Sequence, residues 1–197
     1  MHIACWGCAL HQVAVARLPS PTCVLTCGPL PWLLLCVAPG VCRGRDWVAA
    51  NLTFDKQVTV SFFEITIRVL GGLTSAYDLS GELIFLQKAK DLADRLLPIF
   101  SGVPTGIVSN VITLPRVVPN GGGGQVHLAE LGSNVLEFGS ISARMGIGKY
   151  RKAAEKGLRQ VHDANEHALM VSAVDRVNGR ALGDTVTVGA PADSYYE

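Results

Sequence analysis

The chain lacks cysteine over most of its length and lacks acidic residues over the rest. All six cysteines lie between Cys5 and Cys42, and none follows Asp46. The first 45 residues contain no aspartate or glutamate, but hold three arginines and five of the ten prolines. From Asp46 onward, acids and bases occur at an ordinary density. The sequence therefore joins two unlike segments.

Neither sign of charge is in excess. The 197 residues carry 17 lysines and arginines against 16 acids, a formal net charge of +1. This balance provides no general attraction for a nucleic-acid backbone or an anionic membrane, so we expect no nucleic-acid partner. Apolar residues make up 49% and charged residues 17%, which favours a folded chain with a buried core. The length fits one domain or a piece of a larger one.

Long hydrophobic runs are also missing. The longest in the first segment is 32–38, bounded by Pro31 and Pro39, which is too short and too interrupted for a membrane-spanning helix. It also begins too late for a typical signal peptide. Cys5 and Cys8 have C-x-x-C spacing, but no second pair supports a zinc site and no βαβ pattern supports a redox site. We interpret residues 1–43 as a Cys- and Pro-rich segment outside the fold.

Four amphipathic stretches follow and are predicted to be helices: Ser61–Leu79, Glu82–Leu97, His127–Met145 and Lys149–Ala164. A stretch of about thirty residues, ending in a glycine run at 121–124, separates two antiparallel helix pairs. A short β-hairpin is predicted within 168–188, around Asn178-Gly179, before the last helix. In each pair the first helix is more apolar and the second more charged, as an inner and an outer ring of helices would require. The second helix is predicted to bury Leu83, Leu86, Ala89, Ala93 and Leu96.

Polar residues form a stripe on each of the two apolar helices. The first stripe comprises Ser61, Glu64, Arg68, Gly71, Gly72 and Ser75, and the second comprises Glu130, Asn134 and Glu137. At 100° per residue, the pattern fits either a cleft lined by carboxylates or a solvated i,i+4 ion pair. Paired carboxylates that converge on one pocket suit glycoside hydrolysis. At the end of the chain, Ser194 and Glu197 have the spacing of a capping box, with Asp193 before the cap.

An ordered series of motifs then identifies a family. The series is RDWV (45–48), NLTFD (51–55), FEITIRVLGGL (63–73), SAYDLSG (75–81), AKDLADRLLP (89–98), LAEL (128–131), LEF (136–138), GA (189–190) and ADSYYE (192–197). It closely resembles the class I α-1,2-mannosidases, glycoside hydrolase family 47. The resemblance covers residues 44–197, which we therefore expect to be part of the catalytic domain. It favours the cleft over the solvated ion pair.

The resemblance implies an all-α fold, here a fragment of an α/α barrel of seven helix pairs with its active site in the central cavity. It implies a calcium-dependent, inverting enzyme that removes terminal α-1,2-linked mannose from high-mannose N-glycans. Glu64 matches the family's proton donor and Asp193 a second essential acid, while Arg68, Glu130 and Glu197 match residues that line the sugar site. It also implies residence in the lumen of the endoplasmic reticulum or Golgi. The family's membrane anchor is not visible here, and Asn51-Leu52-Thr53 is a candidate glycosylation site.

The sequence also departs from the family pattern. Pro191 stands where many members carry a sugar-contacting arginine. The family's glutamate base and its calcium-binding threonine have no counterpart before Glu197, so we expect no metal ligand in this chain and an inactive fragment. Residues 1–43 match none of the early barrel helices, which favours an incomplete gene model or a retained intron. Two alternatives stay open: a mannosidase-like glycan-binding factor in glycoprotein degradation, and a non-enzymatic helical-repeat scaffold.

Overall fold

The computed structural model describes residues 38–117, 124–165 and 169–197. The chain divides into two units, Met1–Leu52 and Thr53–Glu197. In the described part of the first unit, α1 (Ala38–Asn51) is the regular element. It was not predicted from the sequence. No helix in the described ranges is both long and apolar enough to span a bilayer.

The second unit is mostly helical. Its helices are α2 (Phe62–Glu64), a π-helical segment (Ile65–Leu70), α3 (Gly71–Ser80), α4 (Leu83–Leu96), α5 (Pro98–Ser101), α6 (Leu128–Met145), α7 (Lys149–Ala164) and α8 (Asp193–Tyr196). Its strands are β1 (Val58–Ser61), β2 (Val111–Leu114), β3 (Gln125–His127) and β4 (Ala173–Asp175). The four predicted helices are all present, with ends that agree to within a residue or two. The short α5 and the strands β1, β2 and β3 were not predicted.

The first three helical pieces form one continuous helix, which we call the 62–80 helix. Its middle is a π-turn in which the Gly71 N–H donates to the Thr66 carbonyl, five residues back instead of four. Because a π-turn holds an extra residue, the stripe drawn at 100° per residue does not continue through it. Gly71 is buried rather than open, and the stripe predicted from Ser61 to Ser75 is wrong at this point. The helix ends at Gly81, which adopts a left-handed conformation with φ of 71°.

The buried face of α4 differs from the predicted one. Leu86, Ala89, Ala93 and Leu96 are buried as expected, but Leu83 is 61% exposed. The centre of the buried arc lies near Ala89, and Leu83, in the first turn, falls outside that arc. Phe85 and Leu92 are buried instead. Pro98 ends the regular part of α4 and begins α5, where its missing N–H costs nothing.

The strands form two small antiparallel ladders. β1 pairs with β2, from Val58 opposite Leu114 to Ser61 opposite Val111. β3 pairs with β4, and a tight turn then returns the chain so that Val174 bridges Ala181. Gly179 occupies the turn with φ of 74°, which confirms the hairpin around Asn178-Gly179. Residues 118–123, with most of the glycine run, and residue 168 lie outside the described residues.

Three aromatic rings form part of the core that supports the 62–80 helix. Phe62 lies 5.7 Å from Phe100 and 6.2 Å from Phe138, and the latter two rings are 5.2 Å apart, measured between centroids. The Phe62–Phe100 and Phe100–Phe138 contacts are edge-to-face, an arrangement that the ring quadrupoles favour. Because the rings belong to α2, α5 and α6, this cluster joins the start of the 62–80 helix to the middle of α6.

The last helix, α8, packs against the first turns of α6. The Ala129 N–H donates to the Pro191 carbonyl at 2.9 Å, and the Ser133 hydroxyl donates to the Ser194 hydroxyl at 3.0 Å. Gly132 faces the α8 backbone so closely that an added Cβ would overlap the Ser194 carbonyl. Glycine at 132 is therefore required for α8 to lie where it does.

We predict that Gly132→Ala lowers the free energy of unfolding by about 1–3 kcal/mol, because the new methyl group displaces α8. Gly139→Ala is the matched control, since it lies in the same helix with open space around its Cβ position. That substitution should raise the free energy of unfolding by about 0.5–1 kcal/mol through helix propensity. Urea denaturation measures both. Equal effects of the two substitutions would contradict the close contact.

Candidate active site

Three of the predicted site carboxylates lie in the first turns of helices. Glu64 is the third residue of the 62–80 helix, after the N-cap Ser61. Glu130 is the third residue of α6, after the N-cap His127. Asp193 is the first residue of α8. All three carboxylates therefore lie close to the N-termini of the helices that carry them.

A small network fixes the backbone at Glu64. The Glu64 N–H donates to the Ser61 hydroxyl oxygen at 3.1 Å, and this hydroxyl donates to Asn110 Oδ1 at 2.7 Å. The Phe63 N–H donates to the same Asn110 oxygen at 2.8 Å. Asn110 immediately precedes β2, so the β1–β2 ladder holds the start of the helix in place. The sequence signals only part of this arrangement, through the Ser61-x-x-Glu64 spacing of a helix start.

Glu64 and Arg68 form an ion pair along one face of the helix. The Arg68 Nε donates to Glu64 Oε2, and this contact raises the pKa of the guanidinium. Both side chains are about half exposed, at 45% for Glu64 and 54% for Arg68. Solvent-exposed pairs of this kind contribute little to stability. The pair therefore leaves a carboxylate and a guanidinium side by side and open to a ligand.

Glu130 has a more enclosed environment. Its carboxylate is half-buried and accepts a hydrogen bond from the His127 N–H at 3.3 Å. Burial raises the pKa of Glu130, while the His127 N–H and the charge of His127 oppose the shift. A carboxyl group of this kind holds its proton more readily than a solvated one. The structure thus gives Glu64 and Glu130 different environments at equivalent helix positions.

The Glu137 side chain of α6 lies against Gly71 of the 62–80 helix. A Cβ added at Gly71 would be 2.7 Å from Glu137 Oε1, so a larger residue there would require the flexible end of the Glu137 side chain to move. Burial raises the pKa of Glu137, and the charge of Arg144 partly opposes this. Two turns further along both helices, Arg144 Nε donates to Asp78 Oδ1 at 2.6 Å. Residues 71 and 78 thus contact residues 137 and 144 in the same order, so the two helices are parallel.

The parallel packing brings the N-termini of the two helices to one end. Glu64 and Glu130 therefore lie at the same end of adjacent helices, and α8 adds Asp193 there by packing on the first turns of α6. Asp193 is exposed and accepts a hydrogen bond from the Ser194 N–H at 2.9 Å. Convergence of Glu64, Arg68, Glu130 and Asp193 on one concavity remains a prediction.

The start of the last helix, α8, differs from the sequence prediction. The N-cap of α8 is Ala192, and the Ser194 hydroxyl accepts from Ser133 instead of capping the helix. The predicted capping box is therefore wrong, because the Ser194 hydroxyl is hydrogen-bonded to Ser133 of α6. Glu197 is exposed directly after α8, and Asn51 is exposed as the last residue of α1 in the other unit.

Two buried polar atoms lie on the helices that carry the acids. Thr66 Oγ1 is in the π-turn and Asn134 Oδ1 is in α6, and neither has a hydrogen-bond partner among the described residues. Sequence reasoning placed Asn134 on the polar stripe, but did not single it out. No signal in the sequence reveals that these two atoms are unpaired, because pairing depends on neighbours from other elements.

The described residues do not assemble a metal site. Nowhere in those ranges do three or more histidine, cysteine, aspartate or glutamate side chains lie close enough to hold an ion. Calcium prefers six to eight oxygen ligands.

We predict that Glu137→Gln stabilises the fold at neutral pH but not in acid. The pKa of this carboxyl group is higher in the folded than in the unfolded chain, so folding favours the protonated form. The contribution of Glu137 to folding stability is most favourable below its unfolded pKa of about 4.5, and it is lost as the pH rises through the pKa of the folded state. Glutamine is neutral throughout. The stability gain should therefore grow from pH 4 to pH 7, as measured by thermal unfolding.

Glu155→Gln is the control with the opposite sign. Hydrogen bonds from Arg151 and Arg159 lower the pKa of Glu155, so this carboxylate stabilises the fold above its unfolded value. The substitution should cost stability at pH 7 and have no effect in acid. The same pH dependence for both variants would contradict the assignment of burial as the cause at Glu137.

Comparison with known proteins agrees with the motifs. The model of glycosyl hydrolase family 47 matches residues 33–197. The mannosyl-oligosaccharide 1,2-alpha-mannosidase MNS1 of Arabidopsis thaliana is 43% identical over 160 residues, which cover 79% of this chain and 28% of that protein. The endoplasmic reticulum mannosyl-oligosaccharide 1,2-alpha-mannosidase of Homo sapiens is 39% identical over 165 residues, 79% of this chain and 23% of that protein. The chain thus spans about a quarter of these relatives.

A solved structure gives the same result for the fold. The alpha-1,2-mannosidase from Trichoderma reesei superposes with a TM-score of 0.68 at 26% sequence identity, over 80% of this chain and 38% of that enzyme. The predicted fold class, a mainly helical fragment of an α/α barrel with a short hairpin, is confirmed. The resemblance drawn from the motifs is confirmed as well, and the chain belongs to glycosyl hydrolase family 47.

Proposed function

We propose that the protein domain to which this chain contributes hydrolyses terminal α-1,2-linked mannose from high-mannose N-glycans, with inversion of configuration. The observation that carries the proposal is the pair of glutamates, Glu64 and Glu130, at equivalent positions of adjacent parallel helices. The names of the relatives supply the substrate class, since they are mannosyl-oligosaccharide 1,2-alpha-mannosidases. High-mannose glycans on glycoproteins are therefore the proposed partners.

In this proposal Glu64 donates a proton to the glycosidic oxygen as the bond to the leaving sugar breaks. Its backbone is held by Ser61 and Asn110, which restricts the directions in which the carboxyl group can point. Arg68 lies beside it and can donate hydrogen bonds to sugar hydroxyls or to the ionised carboxylate after proton transfer. Asp193 is the proposed second essential acid. The environment of Glu130 suits a carboxyl group that accepts from or donates to a hydroxyl.

Inversion needs a second carboxylate that activates water on the other face of the sugar, about 6.5–9.5 Å from the acid. We assign no described residue to that base. Glu130 and Glu197 are instead proposed to bind the sugar, together with Arg68. Calcium is proposed as the family cofactor, and no step is assigned to it. We therefore propose that this chain alone is inactive.

The proposed location is the lumen of the endoplasmic reticulum or Golgi. Three of the relatives carry the endoplasmic reticulum in their names. Asn51 is exposed at the end of α1, where an oligosaccharide could be attached without displacing core residues. We propose it as a glycosylation site, and we propose that membrane attachment depends on the anchor of the family.

We predict that the purified 197-residue chain with calcium releases no more mannose from α-1,2-mannobiose than its Glu64→Gln variant does. General acid and general base assistance each contribute about 10²–10⁴-fold, so loss of one side leaves little turnover. A chimera that completes the barrel with the remaining segment of the Arabidopsis relative should release mannose, and Glu64→Gln should abolish that release. Glu155→Gln in the same chimera is the control and should retain activity.

Two outcomes would overturn parts of this proposal. Release by the 197-residue chain above the Glu64→Gln background would show that the fragment is sufficient. A folded chimera that binds mannobiose but never hydrolyses it would favour the alternative, a glycan-binding factor in glycoprotein degradation.

A further inference from the structure

A groove lies among α4, α5 and α7, on elements that carry none of the proposed active-site acids. Its volume is about 530 Å³, within the range of about 300–1,000 Å³ that small-molecule sites occupy. Leu97, Pro98 and Phe100 form one wall where α4 passes into α5, and Ala153 of α7 lies opposite. The groove therefore offers mainly apolar surface to a ligand.

The groove also carries an excess of positive charge. Asp94 accepts hydrogen bonds from Lys149 Nζ at 2.6 Å, Lys90 Nζ at 2.5 Å and Tyr150 Oη at 2.8 Å. Burial acts to raise the pKa of Asp94, but these hydrogen bonds lower it to about 2. The carboxylate is thus ionised and shared between two ammonium groups, so it neutralises only one of them.

Lys156 adds a second positive charge to the groove. It lies two turns beyond Lys149 on the same face of α7, and both line the groove. Within 38–117, 124–165 and 169–197, Lys156 makes no ion pair, whereas Arg151 on another face of α7 pairs with Glu155. The Cβ and Cγ of Lys156 lie close to Gly106, and the residue is exposed. The charge of Lys156 is therefore available to an anion in the groove.

We propose that this groove binds a small amphipathic anion, a carboxylate on a short hydrocarbon chain. The carboxylate would lie between Lys149 and Lys156, and the hydrocarbon chain would cover the apolar wall at Leu97 and Phe100. The lining of the groove includes none of the residues proposed to bind the glycan. The site is thus separate from the proposed glycan site in both position and chemistry.

The test is isothermal titration of the full chain with decanoate. We expect saturable binding, weakened about tenfold or more in Lys156→Gln, because a charge-assisted hydrogen bond is lost. Arg151→Gln is the matched control, since it removes the same charge from another face of α7, and its affinity should equal that of the unchanged chain. Ala153→Phe should abolish binding by filling the groove. Circular dichroism melting confirms that each variant is folded.

Three results would overturn the proposal. Equal affinities of the unchanged chain and Lys156→Gln would remove the role of the ammonium group. Binding of uncharged decanol as tight as that of decanoate would show that the charge is not recognised. Binding to phosphatidylglycerol vesicles without binding to free decanoate would identify a membrane-surface patch instead of a small-molecule site.

Discussion

The parallel packing of the 62–80 helix against α6 is the constraint on which the candidate site depends. Gly71 lies against the Glu137 carboxyl group where the two helices meet. Asp78 and Arg144 fix the direction of packing with an ion pair further along. Had the helices packed antiparallel, Glu64 and Glu130 would lie at opposite ends. The position of two candidate acids thus follows from one close contact and one ion pair.

Both helices begin in the same way, which gives the site its local order. A short strand leads directly into each helix, its last residue is the N-cap, and a glutamate occupies the third helical position. The surroundings then differ. The Glu64 side chain turns to Arg68 and stays half exposed, whereas Glu130 accepts from the His127 backbone and is partly buried. The two glutamates thus occupy equivalent helix positions in unlike surroundings, and burial raises the pKa of Glu130.

The charged helices α4 and α7 have a different role from the helices that carry the acids. Asp94, Lys149 and Tyr150 join them through hydrogen bonds, and burial of Tyr150 raises the pKa of its hydroxyl group. Because the carboxylate stays ionised, this junction holds over the whole physiological pH range. The junction stabilises the pair while leaving an apolar groove with a positive edge beside it. Fold stability and the proposed anion site therefore use the same charges.

The sequence by itself determined the helices, the hairpin turn and the family. Apolar periodicity, Gly81, Pro98 and Asn178-Gly179 are local signals, and local sterics and hydrogen bonding act on them directly. Only the tertiary structure decided what depends on contacts between distant segments. Gly71 lies at the end of the π-turn and is buried, so it does not belong to the predicted polar stripe. The Ser194 hydroxyl bonds to Ser133 of α6 instead of capping α8, and Asn110, next to the β1–β2 ladder, binds the start of the 62–80 helix. Periodicity cannot predict the contacts of Ser194 and Asn110, because their partners lie tens of residues away and are chosen by packing.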